Sequence, residues 1–135
     1  MRKHWYHWFA PLSVVGLLVI TAIASGSCGA NDVTNANQIV FPDTNVSFNQ
    51  QVFPYMELAC DQQGCHYTDN PAGGISLNSF GDVRTIKVVD QPGDTNCLLC
   101  RVIKLQDPNH IVPITPTPNQ QRGIIEWVRE GAKDN

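Results

Sequence analysis

Phe48-Asn49-Gln50-Gln51-Val52-Phe53-Pro54-Tyr55-Met56-Glu57-Leu58-Ala59-Cys60-Asp61-Gln62-Gln63-Gly64-Cys65-His66 is the stretch on which the reading of this chain turns. Apolar residues fall at Phe48, Val52, Phe53, Met56 and Ala59, at intervals of 4, 1, 3 and 3, which suits one face of a helix. Pro54 fits badly in a helix interior, so the helix is expected to start or bend there. It leads straight into Cys60 and Cys65, with His66 directly after the second cysteine. Two cysteines followed at once by histidine is what covalent haem attachment needs. Each thiol adds to one vinyl group of the porphyrin, and the adjacent imidazole is held under the iron as proximal ligand. Four residues separate the cysteines here, against the usual Cys-x-x-Cys-His. A looser loop still spans the vinyl groups, and Gly64 supplies backbone freedom just before Cys65.

Downstream, several segments follow in order: Ala72-Gly73-Gly74-Ile75-Ser76-Leu77, then Gln91-Pro92-Gly93-Asp94, then Leu98-Leu99-Cys100-Arg101-Val102-Ile103. The last is Gly123-Ile124-Ile125-Glu126-Trp127-Val128-Arg129-Glu130-Gly131-Ala132. In the final one, Ile124, Ile125 and Val128 share an apolar face with Trp127 beside it. Asn119, after Pro118, can cap its first amides, and Gly131 can close it. This series resembles the small monohaem cytochrome c domains of lipoproteins from Bacteroidetes, planctomycetes and related bacteria. The resemblance covers residues 48–135. It implies a mainly α, cytochrome c-like helical domain, with one covalent haem c on Cys60 and Cys65, His66 as iron ligand, and the last helix packed across the first.

In that family the iron's sixth ligand is usually a methionine in a loop before the last helix. The matching segment here is Asn109-His110-Ile111-Val112-Pro113, and the methionines of the chain are Met1 and Met56. Methionine ligation from this loop is therefore excluded. His110 becomes the candidate distal metal ligand, since imidazole ligates iron well and a proline-flanked loop presents it rigidly. The alternative is a solvent-facing loop histidine beside a five-coordinate iron or one with another ligand.

Cys97 and Cys100 form a second close pair, followed by Arg101 rather than His, so they are not a second haem site. In an exported chain they favour oxidation. Three readings thus divide the four paired cysteines. The first is haem on Cys60, Cys65 and His66 with Cys97 and Cys100 structural. The second is zinc held by both pairs, as in a ribbon. The third is two disulfides in a haem-free structural domain.

The N-terminus addresses the chain to a membrane. Arg2 and Lys3 precede an uncharged stretch over residues 10–24, then Ser25-Gly26-Ser27-Cys28, the layout of a secretory signal. A cysteine after small residues resembles the lipobox of bacterial lipoproteins, with Ser25 where that family carries Leu; it implies lipidation of Cys28. The rival reading is a retained anchor, because residues 5–24 are long enough to span a bilayer and carry aromatics at one end. The expected organisation is residues 1–27 as signal peptide or anchor, 28–47 as a polar tether and 48–135 as the domain. Either reading puts the domain on the periplasmic side of a membrane, alone or as a subunit of a larger electron-transfer complex with a redox partner protein. The net charge of −3 and pI near 5.7 argue against nucleic acid as a partner. No phosphate loop or nucleophile–base pairing is legible, so the expected role is electron transfer and not enzymatic turnover.

Overall fold

The helix expected before Cys60 is present, with an altered first turn. A computed structural model of the chain describes residues 33–67 and 69–135. In it, Phe48–Val52 forms a π-helical turn in which the Phe53 amide donates to the Phe48 carbonyl. Helix α1 continues over Phe53–Ala59, with Pro54 in its first turn. Proline has no amide to donate and its ring crowds the preceding turn, so it is tolerated only where an intrahelical bond is not required. The wider π turn ahead of it lets the chain run on past that defect.

Three more helices follow: α2 over Phe80–Val83, α3 over Leu98–Ile103 and α4 over Pro118–Arg129. Short 3₁₀ turns occupy Ala36–Gln38 and Ala72–Gly74. There is no strand among the described residues, so the domain is mainly α, as expected. None of the described helices is long and apolar enough to cross a membrane. The expected signal or anchor over residues 1–27, and the lipid site Cys28, lie outside the described residues.

The apolar face read for α4 is its buried face: Ile124, Ile125, Trp127 and Val128 all lie in the core. Trp127 packs on Phe48, ring centroids 5.6 Å apart, and its indole N–H donates to the Lys133 carbonyl at 2.9 Å. Burying side chains of this size contributes about 1.5–3 kcal/mol each. The N-cap differs from the expected Asn119. Thr117 takes that place in a reciprocal capping box with Gln120, because Pro118 is pre-set for the first helical position and pushes the cap one residue upstream. At the other end Gly131 (φ +106) donates to the Val128 carbonyl and Ala132 to that of Trp127. This closes α4 with a Schellman motif, which requires a left-handed residue at that position.

Residues 33–47 depart from the tether expected there. Ala36, Ile39, Phe41 and Val46 are buried, and the folded unit runs Val33–Asn135. The buried Gln120 side chain explains the docking: its amide donates to the carbonyls of Ala36 (2.7 Å) and Ile39 (3.3 Å). Asn119, released from capping, pairs with both backbone groups of Phe41 at 2.8 and 2.9 Å. Glu130 accepts from the amides of Asn45 and Val46. Composition marks this segment as polar, but four apolar side chains and side-chain hydrogen bonds from α4 suffice to hold it.

Candidate functional site

Cys60 closes α1, its amide donating to the Met56 carbonyl at 2.8 Å. The loop to His66 then folds back on itself. The Cys65 amide donates to the Gln62 carbonyl (2.9 Å) and the His66 amide returns to the Cys60 carbonyl (3.3 Å). Gly64 takes φ +82 within this loop, a conformation glycine adopts without strain. Cys60 and Cys65 are both free thiols and both half-buried. Burial, reinforced by the charges of Cys65 and Asp61, pushes the Cys60 thiol up to about 12.

The orientation of His66 is fixed by a group that sequence reading had not singled out. Its Nδ1 lies 2.7 Å from the Ile75 carbonyl oxygen. A carbonyl can only accept, so Nδ1 carries the hydrogen and a neutral ring presents the Nε2 lone pair. This is the outer-shell arrangement by which metal-bound histidines are oriented and made more basic. Gly73 and Gly74, at φ +63 and +66, turn the chain so that the Ile75 carbonyl meets the ring, and the Ala72 amide ties that turn to the Cys65 carbonyl at 2.6 Å. The motif Ala72-Gly73-Gly74-Ile75 was legible as a segment; the job of its last carbonyl was not.

His66 opens onto a cavity of about 210 Å³, smaller than the roughly 300–1,000 Å³ typical of small-molecule and cofactor sites. Helix α3 supplies Leu98, Leu99 and Val102 to its wall, and Leu77, Val88 and Ile75 complete the apolar lining. Cys60, His66 and His110 are the lining side chains with metal-ligating or nucleophilic atoms. The rings of His110 and His66 are stacked, with centroids 5.7 Å apart and planes 13° from parallel. Of the residues read from sequence, Cys60, His66 and His110 thus meet at one cavity, while Cys65 flanks it beside His66. Met56 is fully buried in the core and does not line the cavity.

The donor set at this cavity is the kind a covalently held haem requires: an apolar lining, one of the two thiols, one imidazole anchored with its outer nitrogen free, and a second imidazole nearby with its plane nearly parallel. No family model, no curated protein and no solved structure matches the chain.

The second cysteine pair lies apart from this chemistry. Cys97 and Cys100 form a disulfide, Cα atoms 5.0 Å apart. The sequence places both within one helical turn, where a bridge is awkward. Cys97 is instead the extended N-cap of α3, and only Cys100 is helical, so their separation falls in the range that disulfides require. Among the described residues no group of three or more His, Cys, Asp or Glu side chains is arranged to hold a metal ion. The four cysteines therefore do not form a zinc tetrad.

Proposed function

We propose that this chain is a monohaem c-type cytochrome that carries single electrons outside the cytoplasm. It is held at a membrane by lipid on Cys28 or by a retained N-terminal helix, and works with a redox partner protein or within a larger membrane electron-transfer complex. The observation that carries the reading is the setting of His66. It follows directly on Cys65, its Nδ1–H is anchored to the Ile75 carbonyl at 2.7 Å, and its free nitrogen is left for the apolar cavity that Cys60 and His110 also line. Haem bound there supplies one-electron iron chemistry. The residues of the chain do the rest. Cys60 and Cys65 fasten the cofactor, His66 and His110 ligate it, and the leucine and valine walls exclude water and so bias its potential.

The test is expression with a cytochrome c maturation system. A denaturing gel should give a haem-stained band, the pyridine haemochrome should report one haem per chain, and C60S/C65S should abolish both. A full-length band of unmodified mass with no stain would sink the proposal. It would favour the second reading, a haem-free structural subunit of a membrane complex, for which the Cys97–Cys100 staple and the missing loop methionine speak. Intact-mass measurement decides the anchor: an acylated chain beginning at Cys28, or one retaining residues 1–27.

A further inference from the structure

We infer that His110 is a releasable ligand, and that the face it leaves takes a neutral diatomic molecule, carbon monoxide or nitric oxide. This rests on the haem reading above. The two imidazoles are held unequally. His66 is locked by its 2.7 Å bond to the Ile75 carbonyl and by backbone bonds that close its loop on Cys60. The ring of His110 makes no hydrogen bond among the described residues. Its backbone is tied only within its own turn, by the His110 amide to the Asp107 carbonyl (3.2 Å) and the Asn109 amide to the Asp107 carboxylate (3.0 Å). Residues 111–115 make no backbone hydrogen bond to the rest of the domain among the described residues, and Ile111 is 86% exposed. The loop regains the core through Ile114 and through Pro116, whose carbonyl accepts from Gln121 at 3.2 Å.

An outer partner of a ligating histidine is typically worth 10–100-fold in metal affinity. His66 has one and His110 has none among the described residues, so the iron–His110 bond is the weaker of the two. Among the described residues, His110–Val112 make no hydrogen bond to another element, so this part of the loop can move outward while Ile114 stays on the core. Leu98, Leu99, Val102, Val88 and Leu77 line the same cavity, an apolar setting that a neutral diatomic molecule enters without a charge being desolvated. In the exchange the iron–nitrogen bond to His110 breaks and a bond to carbon forms from the lone pair of carbon monoxide. His110 leaves as a neutral base, and no electron or proton is consumed.

The experiment uses the full-length holoprotein, its haem first verified by haemochrome. Reduced protein mixed with carbon monoxide should show a shifted Soret band, and the observed rate should reach a plateau as the gas concentration rises, set by release of His110. In His110→Ala the rate should rise linearly without a plateau, and the apparent affinity should increase on the order of tenfold or more, because the competing state is gone. Flash photolysis of the carbon monoxide complex of the unaltered protein gives an independent reading: His110 should recapture the iron in part, producing a slow second phase of rebinding. An unchanged spectrum of haem-positive protein under saturating carbon monoxide would overturn this inference and leave the haem reading standing. Linear, monophasic binding by the unaltered protein would overturn it too, showing that His110 does not occupy the site. A negative haemochrome would instead sink the haem reading itself.

Discussion

The rings of His66 and His110 lie 5.7 Å apart, centroid to centroid, with their planes 13° from parallel. The two residues come from different loops, and both are proposed above to ligate the haem iron. Two imidazoles give a lower potential than a histidine–methionine pair. The oxidised protein should lack the sulfur-to-iron charge-transfer band in the far red. Near-parallel ring planes should give a rhombic low-spin electron paramagnetic resonance signal, not the single large-g feature of perpendicular planes. His110→Ala should convert the six-coordinate low-spin spectrum to a five-coordinate one. A low-spin spectrum unchanged in that variant would remove His110 from the iron.

Gly123 should not tolerate a side chain. It sits inside α4, where glycine is normally unfavourable, and a Cβ there would lie 2.2 Å from Cβ and Cγ of Phe41. Those atoms are close to the Phe41 backbone, which Asn119 holds on both sides, so they cannot move aside cheaply. Gly123→Ala gains helix propensity of about 1 kcal/mol but overpacks the core at a typical cost of about 1–3 kcal/mol. Net destabilisation in urea melts is the expected outcome, and a stabilised variant would show that residues 33–47 are not docked as described.

Removing the Cys97–Cys100 disulfide should leave haem content unchanged. A bridge closing so short a loop contributes about 2 kcal/mol by restricting the unfolded chain. Both cysteines are buried, and neither lines the cavity. C97S/C100S should therefore lower the denaturation midpoint while the haemochrome still reads one haem per chain. Loss of haem from a variant that stays folded would mean the pair belongs to the site.

The haem-free chain, made without the maturation system, should weaken in alkali because of Cys60. Burial raises its thiol from an ordinary 9.0 to about 12. Below about pH 9 the thiol is protonated both folded and unfolded. Between about 9 and 12 the unfolded thiol ionises while the folded one keeps its proton, so stability is lost as pH rises through that window. Tyr55, whose phenol burial also raises, adds a loss of the same sign starting near 10.0. C60S should therefore flatten the lower part of the window. The haem-bearing protein should be flat there as well, since a thioether does not titrate. Parallel slopes for the haem-free chain and C60S would refute the assignment.

The helix before Cys60, the amphipathic face of α4 and the Cys-His cluster were legible in the sequence because each is local. A helical face is a matter of spacing along the chain, and His66 is next to Cys65 by covalent connectivity. The positions at which local rules broke were legible too: Pro54 marked the defect at the start of α1, and Gly131 marked the end of α4. Other features depended on groups far apart in the chain. Residues 33–47 look like a tether by composition, and they became core because Gln120 and Asn119 satisfy their backbone from α4. Asn119 was free to do so because Pro118 moved the cap to Thr117. No pattern of residue types announces a backbone carbonyl, so the role of Ile75 in fixing the His66 ring emerged only when two successive left-handed glycines brought it there. The sequence by itself determined which side chains could ligate a metal, since that is a property of residue type. Tertiary structure alone decided that the His66 and His110 rings lie 5.7 Å apart, and that among the described residues one is anchored while the other is not, because both depend on distances between loops that no local interaction sets.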